Sequence, residues 1–368
     1  MATPKLIAII GGDGIGTEVV AQASRVLAYY LEQRSMPIEL WGLDLGADRY
    51  LRDGTTFPEE VRDRIAGKAS AVLLGALGDP RVPGLEHARD ILFGLRFGLD
   101  LYANVRPVRA LADRLVPLRD RGRADVDFVV FRENTEGAYA RLGGQFKRGT
   151  IDEVAISEDI NTRKGVERLV RAGFEHARKT GRKRVHMADK SNAMPQAHEL
   201  WHRVFFEVSA EYAHVDAEHM YVDAMCLHFV QDPSQFEVIV TSNMFGDILT
   251  DLGAALQGGL GMAPSANIHP AVRGCCGSSH RGAGVGVFEP VHGSAPPLAG
   301  KDLANPLACV LAVGMLLAHL GYPEEEVRLE SIVTRAVTER MCTPDVGGAL
   351  GTRAVGDWVV SELAHSFG

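Results

Sequence analysis

Short apolar runs alternate with longer amphipathic stretches along almost the whole chain. The runs at 6–10, 38–43, 71–74, 128–131, 185–188, 238–241 and 285–288 predict strands. Apolar positions three and four apart predict helices at 18–33, 163–179, 245–255 and 306–320. Strand and helix in alternation point to an α/β fold. The stretch 306–320 is apolar nearly all round, which predicts a buried helix. It is too short to span a bilayer and is interrupted by Gly314 and His319. Residues 268–286, rich in Gly, Ser and Cys, predict an exposed loop. Polar candidates gather at strand ends and helix starts, where open α/β sheets bind ligands.

The 368 residues are enough for two domains or one large α/β unit. A net charge of −8 argues against nucleic acid and anionic membrane surfaces, which demand a basic face. It leaves room for a small anionic substrate, because a few arginines can dominate one cleft. The apolar pattern near the N-terminus has no signal-peptide arrangement. Five cysteines with no C-x-x-C spacing read as reduced thiols, and the expected location is cytoplasmic. The adjacent Cys275 and Cys276 read as incidental rather than as a redox pair.

Three groups of residues carry candidate chemistry. Asp247 and Asp251 are four apart, so a helix beginning near Asn243 sets both on one face. Two carboxylates so placed repel unless a cation lies beside them, and their apolar neighbours predict a poorly solvated face. Asp223, expected to end a strand, offers a third oxygen ligand. Carboxylates without histidine or cysteine suit Mg2+ or Mn2+. Spacing alone fits equally well with helix acids favoured by the macrodipole. Arg96, Arg106 and Arg132 form the second group; guanidiniums bind carboxylates bidentately, although any single arginine fits a surface ion pair as well. The third is the small-residue turn Glu289-Pro290-Val291-His292-Gly293-Ser294-Ala295-Pro296 with Asn305 downstream. It suits an adenosine, or any structured turn. By contrast, the loop from Gly11 to Thr17 is not a dinucleotide fingerprint. Thr17 stands where the last glycine is needed, and Asp13 would oppose a pyrophosphate. A tight strand-to-helix turn is expected there.

Taken together, these segments resemble the β-decarboxylating dehydrogenase family of isopropylmalate, isocitrate, homoisocitrate and tartrate or malate dehydrogenases. The matching residues run from Gly12-Asp13-Gly14-Ile15-Gly16 to Thr343-Pro344-Asp345-Val346-Gly347-Gly348. The resemblance implies the family's α/β fold: two open α/β domains, non-Rossmann, the first discontinuous (1–103 plus 258–368) and the second 104–257. It implies a homodimer with shared active sites, Lys190 and Asp223 crossing to the neighbouring subunit. Arg96, Arg106 and Arg132 would hold substrate carboxylates, and Asp223, Asp247 and Asp251 the Mg2+ or Mn2+. Lys190 would take the hydroxyl proton and Tyr139 would return one to carbon. Glu289, His292, Gly293, Ser294, Ala295, Pro296 and Asn305 would receive the cofactor.

Two departures bear on specificity. Pro297 stands where NAD-dependent relatives carry an aspartate that binds the ribose hydroxyls. The absence of a basic cluster favours NAD, with NADP left open. Ahead of Arg96, Leu92 and Phe93 are apolar, as suits an alkyl substituent, whereas Arg89 would suit an additional anionic group. The implied activity is oxidative decarboxylation of a 2-hydroxy acid, foremost 3-isopropylmalate of leucine biosynthesis. Homoisocitrate, isocitrate, tartrate and D-malate are the alternatives within the class. A non-catalytic regulatory subunit is the alternative outside it, disfavoured because every catalytic position is filled.

Overall fold

The computed structural model describes residues 4–270 and 284–367. The chain begins with β1 (Lys5–Ile10), α1 (Ile15–Gln33), β2 (Ile38–Leu43), α2 (Ala47–Asp53), α3 (Glu59–Lys68), β3 (Ala69–Leu74) and α4 (Glu86–Gly98). It continues through β4 (Ala103–Arg109), β5 (Asp127–Glu133), the ribbon β6 (Gly143–Phe146) and β7 (Val154–Ser157), then α5 (Arg163–Thr180) and β8 (Arg184–Asp189). Next come α6 (Pro195–Ser209), β9 (Asp216–Tyr221), α7 (Val222–Gln231), β10 (Val238–Thr241) and α8 (Asn243–Leu256). It returns as β11 (Pro264–Ile268), β12 (Gly286–Pro290), α9 (Leu307–His319), α10 (Pro323–Thr338) and α11 (Thr352–His365).

Ten strands form one sheet in the order β2-β1-β3-β12-β11-β4-β5-β10-β8-β9. Its flanks are parallel, whereas β12, β11, β4 and β5 pair antiparallel in the middle. The predicted strands are all present. Apart from the edge strand β2, they are near-continuous apolar runs buried along most of their length. The pattern did not announce β4, β6, β7, β9 or β11. Polar side chains replace the apolar signal in β4 and β11, while β9 is a polar edge and β6–β7 an exposed ribbon. One expectation is corrected: Asp223 does not end a strand. Pairing with β8 stops at Tyr221, and Asp223 sits in the first turn of α7.

Helix α9 is buried as its pattern predicts, packed against α1, α10, β11 and β12. The glycine-rich loop is the expected tight turn, and α1 begins within it at Ile15. Asp13 is buried and serves the fold, accepting hydrogen bonds from the Ala47 and Gly78 amides and lying 2.8 Å from His87 Nε2. Among the described residues no helix is long and apolar enough to cross a membrane. Cys226, Cys309 and Cys342 are free thiols. The Cys275–Cys276 pair and most of the predicted 268–286 loop lie outside the described residues.

Candidate active site

Alternation along β4 divides its residues between two faces of the sheet. Val105, Pro107 and Arg109 line a cavity of about 700 Å3 on one side, with Leu311 and Met315 of α9. Asn104 and Arg106 face the other, where β5 contributes Arg132 directly opposite Asn104. The three arginines of the sequence pattern converge on that second face, and each is at least nine-tenths buried.

Arg132 is held on every nitrogen. Its Nε donates to the main-chain oxygen of Asn243 at 2.8 Å, its Nη2 to Asn243 Oδ1 at 2.8 Å, and its Nη1 to Asp247 Oδ1 at 2.5 Å. Helix α8 passes so close that a Cβ on Gly246 would fall 2.4 Å from Arg132 Cγ. Arg106 donates to Asn104 Oδ1 at 2.7 Å and Thr250 Oγ1 at 2.6 Å, and it lies 3.5 Å from Asp247. Arg96, on α4, donates to Glu289 at 3.1 Å, and its Nε is buried without a partner among the described residues. Burial disfavours the charge on Arg132 and Arg106 and lowers both pKa values; neighbouring guanidiniums add to the effect and Asp247 opposes it. An incoming polyanion relieves that repulsion.

Asp247 and Asp251 share a face of α8, as their spacing predicts. The expectation of a poorly solvated face is corrected for Asp251, whose side chain is 61% exposed against 38% for Asp247. Desolvation and the neighbouring Asp247 push the Asp251 carboxyl above its ordinary range, whereas the adjacent Arg132 and Arg106 hold Asp247 below it. An oxygen-only pair of this kind fits a hard divalent cation. Asp223 does not join it within one chain. It accepts a 2.6 Å hydrogen bond from Lys190, and no group of three or more His, Cys, Asp or Glu arranged for a metal exists among the described residues. Tyr139, in the turn after β5, donates to Asp247 Oδ2 at 2.9 Å and lies under the Arg132 guanidinium, 5.3 Å from ring centre.

Along α4, Leu92 packs against the core. The Phe93 ring lies 5.3 Å from that of Phe97 with Arg141 above it at 5.2 Å. The small-residue turn meets the N-terminal loop: Ile15 N donates to Ser294 O at 2.9 Å, and a Cβ on Gly14 would fall 2.1 Å from the same oxygen. Beside it opens a cavity of about 760 Å3 bordered by Gly12, Thr17, Pro296 and Arg353. His292 is buried with Nε2 lacking a partner among the described residues, and burial lowers its pKa, which favours the neutral ring. That unsatisfied nitrogen fits a polar cofactor edge. Ala295 adopts a left-handed φ of 37°, and a Cβ on Gly293 would meet nothing within 4 Å. The Asn305 side chain has protein partners at both ends, Asp345 at 3.0 Å and the Leu307 amide at 3.0 Å. The sequence pattern did not single out Asn104, Thr250, Ser265 or Asn267. Only the period-two spacing of Asn104 and Arg106 marked any of them in the sequence.

The isocitrate/isopropylmalate dehydrogenase family profile matches residues 6–359. A 3-isopropylmalate dehydrogenase of Streptomyces griseus is 45% identical over 352 residues, covering 94% of this chain and 97% of its own. One from Thermobifida fusca is 40% identical over 359 residues, covering 98% of both. Among solved structures, isocitrate dehydrogenase from Methylococcus capsulatus superposes with a TM-score of 0.82 at 33% identity, covering 98% of this chain and 99% of its own.

Proposed function

The chain belongs to the isocitrate/isopropylmalate dehydrogenase family of β-decarboxylating dehydrogenases, and from that premise we propose that it oxidises and decarboxylates 3-isopropylmalate. The observation that carries this reading is the meeting of three buried guanidiniums with an aspartate pair on α8, in a chain whose relatives bear that name. A dicarboxylate with a hydroxyl between cation and lysine is the ligand such a charge arrangement suits. The apolar Leu92 and Phe93 on α4, just ahead of Arg96, support an alkyl-substituted malate over isocitrate.

In this reading Arg96, Arg106 and Arg132 hold the carboxylates and orient C2. Asp247 and Asp251 would hold Mg2+ or Mn2+, completed by Asp223 of the partner subunit, and the cleft at His292 and the Gly293–Pro296 turn, with Glu289 and Asn305, would take NAD. The cation would polarise the oxygen on C2 and the nicotinamide would accept the hydride, leaving this chain's side chains to move protons. Lys190 of the partner subunit, which comes with Asp223 and must be unprotonated at this step, accepts the hydroxyl proton as hydride departs. Loss of CO2 leaves an enolate, and Tyr139 supplies the proton to its carbon. Support for a dimer comes from apolar side chains exposed around these acids: Leu227 and Val230 on α7, and Met244 and Ile248 on α8. Division into 1–103 plus 258–368 and 104–257 would let the cleft close and exclude water.

A panel of 3-isopropylmalate, isocitrate, homoisocitrate, tartrate and D-malate, each with NAD or NADP and with Mg2+ or Mn2+, tests the reading through cofactor reduction in the near ultraviolet. The highest kcat/KM is expected for 3-isopropylmalate with NAD. A higher value for isocitrate or homoisocitrate overturns the substrate assignment, and no reduction with any acid overturns the activity.

A further inference from the structure

Between the arginines lies a set of buried amides. The register of β11 on β4 sets Asn267 opposite Asn104, and that of β4 on β5 sets Asn104 opposite Arg132. Directly opposed residues share a face of the sheet. Ser265 and Glu289, opposed across β11 and β12, lie on it too. Asn267 is fully buried, and its side chain is saturated. Its Oδ1 accepts from Asn104 Nδ2 at 3.0 Å and Asn134 Nδ2 at 2.9 Å, while its Nδ2 donates to Val287 O at 3.3 Å and Glu289 Oε1 at 2.8 Å. An amide has two donors and two acceptor positions, and all four are used.

The bonds continue in both directions. Asn104 Oδ1 accepts from Arg106 Nε at 2.7 Å, and its Nδ2 also reaches Ser265 Oγ at 2.8 Å. Glu289 Oε1 accepts from Arg96 Nη2 at 3.1 Å. An unbroken chain therefore runs Arg106–Asn104–Asn267–Glu289–Arg96. Its two ends come from different kinds of element, a sheet strand and helix α4.

We propose that Asn267, acting with Asn104, is a positioning residue for the substrate carboxylates: it fixes the separation and plane of the Arg96 and Arg106 guanidiniums without touching the substrate. This rests on the assignment of those arginines to the carboxylates. An apolar pair at 104 and 267 would close the sheet as well, since β4 and β11 are buried there. It would leave Arg106 Nε without its Asn104 acceptor, and Glu289 with Arg96 but without its Asn267 donor. Bidentate recognition tolerates only about half an ångström of error, and an arginine free to change rotamer loses that precision. A saturated network in a low-dielectric interior is stiff, because moving one member breaks bonds at the next.

The test measures KM and kcat for 3-isopropylmalate in Asn267→Asp, which retains the acceptor oxygen and loses the donor to Glu289. Asn104→Ser, which loosens the other end, keeps the question open should the first variant fail to fold. Arg96→Lys, Arg106→Lys and the double variant N267D/R96K are assayed in parallel. Expected are KM values raised about tenfold in N267D and N104S with kcat within about threefold of wild type, and a double variant little worse than R96K alone. Lowered melting temperatures with unchanged KM, or losses that multiply in the double variant, overturn the proposal. Unchanged KM in R96K and R106K overturns the arginine assignment itself, a result distinguishable from the first because there the arginine variants do raise KM.

Discussion

The phenol of Tyr139 donates a 2.9 Å hydrogen bond to one oxygen of Asp247, while Arg132 donates to the other at 2.5 Å. One carboxylate thus joins the proposed proton carrier to a guanidinium proposed to bind substrate. Burial raises the Tyr139 pKa, and the negative Asp247 raises it further, so the phenol keeps its proton at neutral pH. A proton donor to carbon needs that state.

Tyr139→Phe removes the hydroxyl and little else, since the ring beneath Arg132 is retained. The expected kcat is lower by roughly 10² to 10⁴, with KM for the hydroxy acid changed by less than about threefold. Steady-state cofactor reduction checks this, and a kcat equal to wild type would remove Tyr139 from the reaction.

Asp251 tests the metal more cleanly than Asp247, which also anchors Arg132. Asp251→Asn should lower kcat/KM by about 100-fold or more at fixed Mn2+, partly recovered at higher Mn2+. Its melting temperature without metal should move by less than about 2 °C, because the side chain is largely exposed and 4.0 Å from its nearest cation. Full activity at low Mn2+ would refute the ligand assignment.

Lys190 and Asp223 travel together, joined at 2.6 Å, apart from the Asp247–Asp251 pair. If they complete the neighbouring subunit's site, two inactive variants must complement. Lys190→Ala and Asp251→Asn chains, unfolded, mixed equally and refolded, should regain about a quarter of wild-type activity, because half the dimers are mixed and each has one intact site. No gain above the separate variants would show that each chain works alone.

His176 carries a pH dependence unrelated to catalysis. Desolvation, reinforced by Arg182 and Lys179, pushes its pKa down to about 4, against 6.5 ordinarily. The folded state therefore binds this proton less readily than the unfolded chain, and stability falls as pH drops from about 6.5 to about 4. His176→Gln should lessen that loss by on the order of 1–2 kcal/mol between pH 7 and 4.5, read by urea denaturation. Parallel pH profiles for the two proteins would contradict it.

The sequence alone determined the elements whose signal is repetition. The apolar strands of the flanks, the apolar helix α9 and the one-turn spacing of Asp247 and Asp251 all follow from local periodicity, which side-chain direction imposes within a single element. What only the tertiary structure decided is who faces whom across elements. β4 and β11 carry polar residues at inward positions, so their pattern hides the very strands that seat Asn104, Arg106, Ser265 and Asn267. Asp223 read as a strand end because nothing within its segment records where pairing with β8 stops. The Asn267–Asn104 contact joins residues 163 apart in the chain. It exists because antiparallel register brings them opposite, and register is a property of two strands together that neither one encodes by itself.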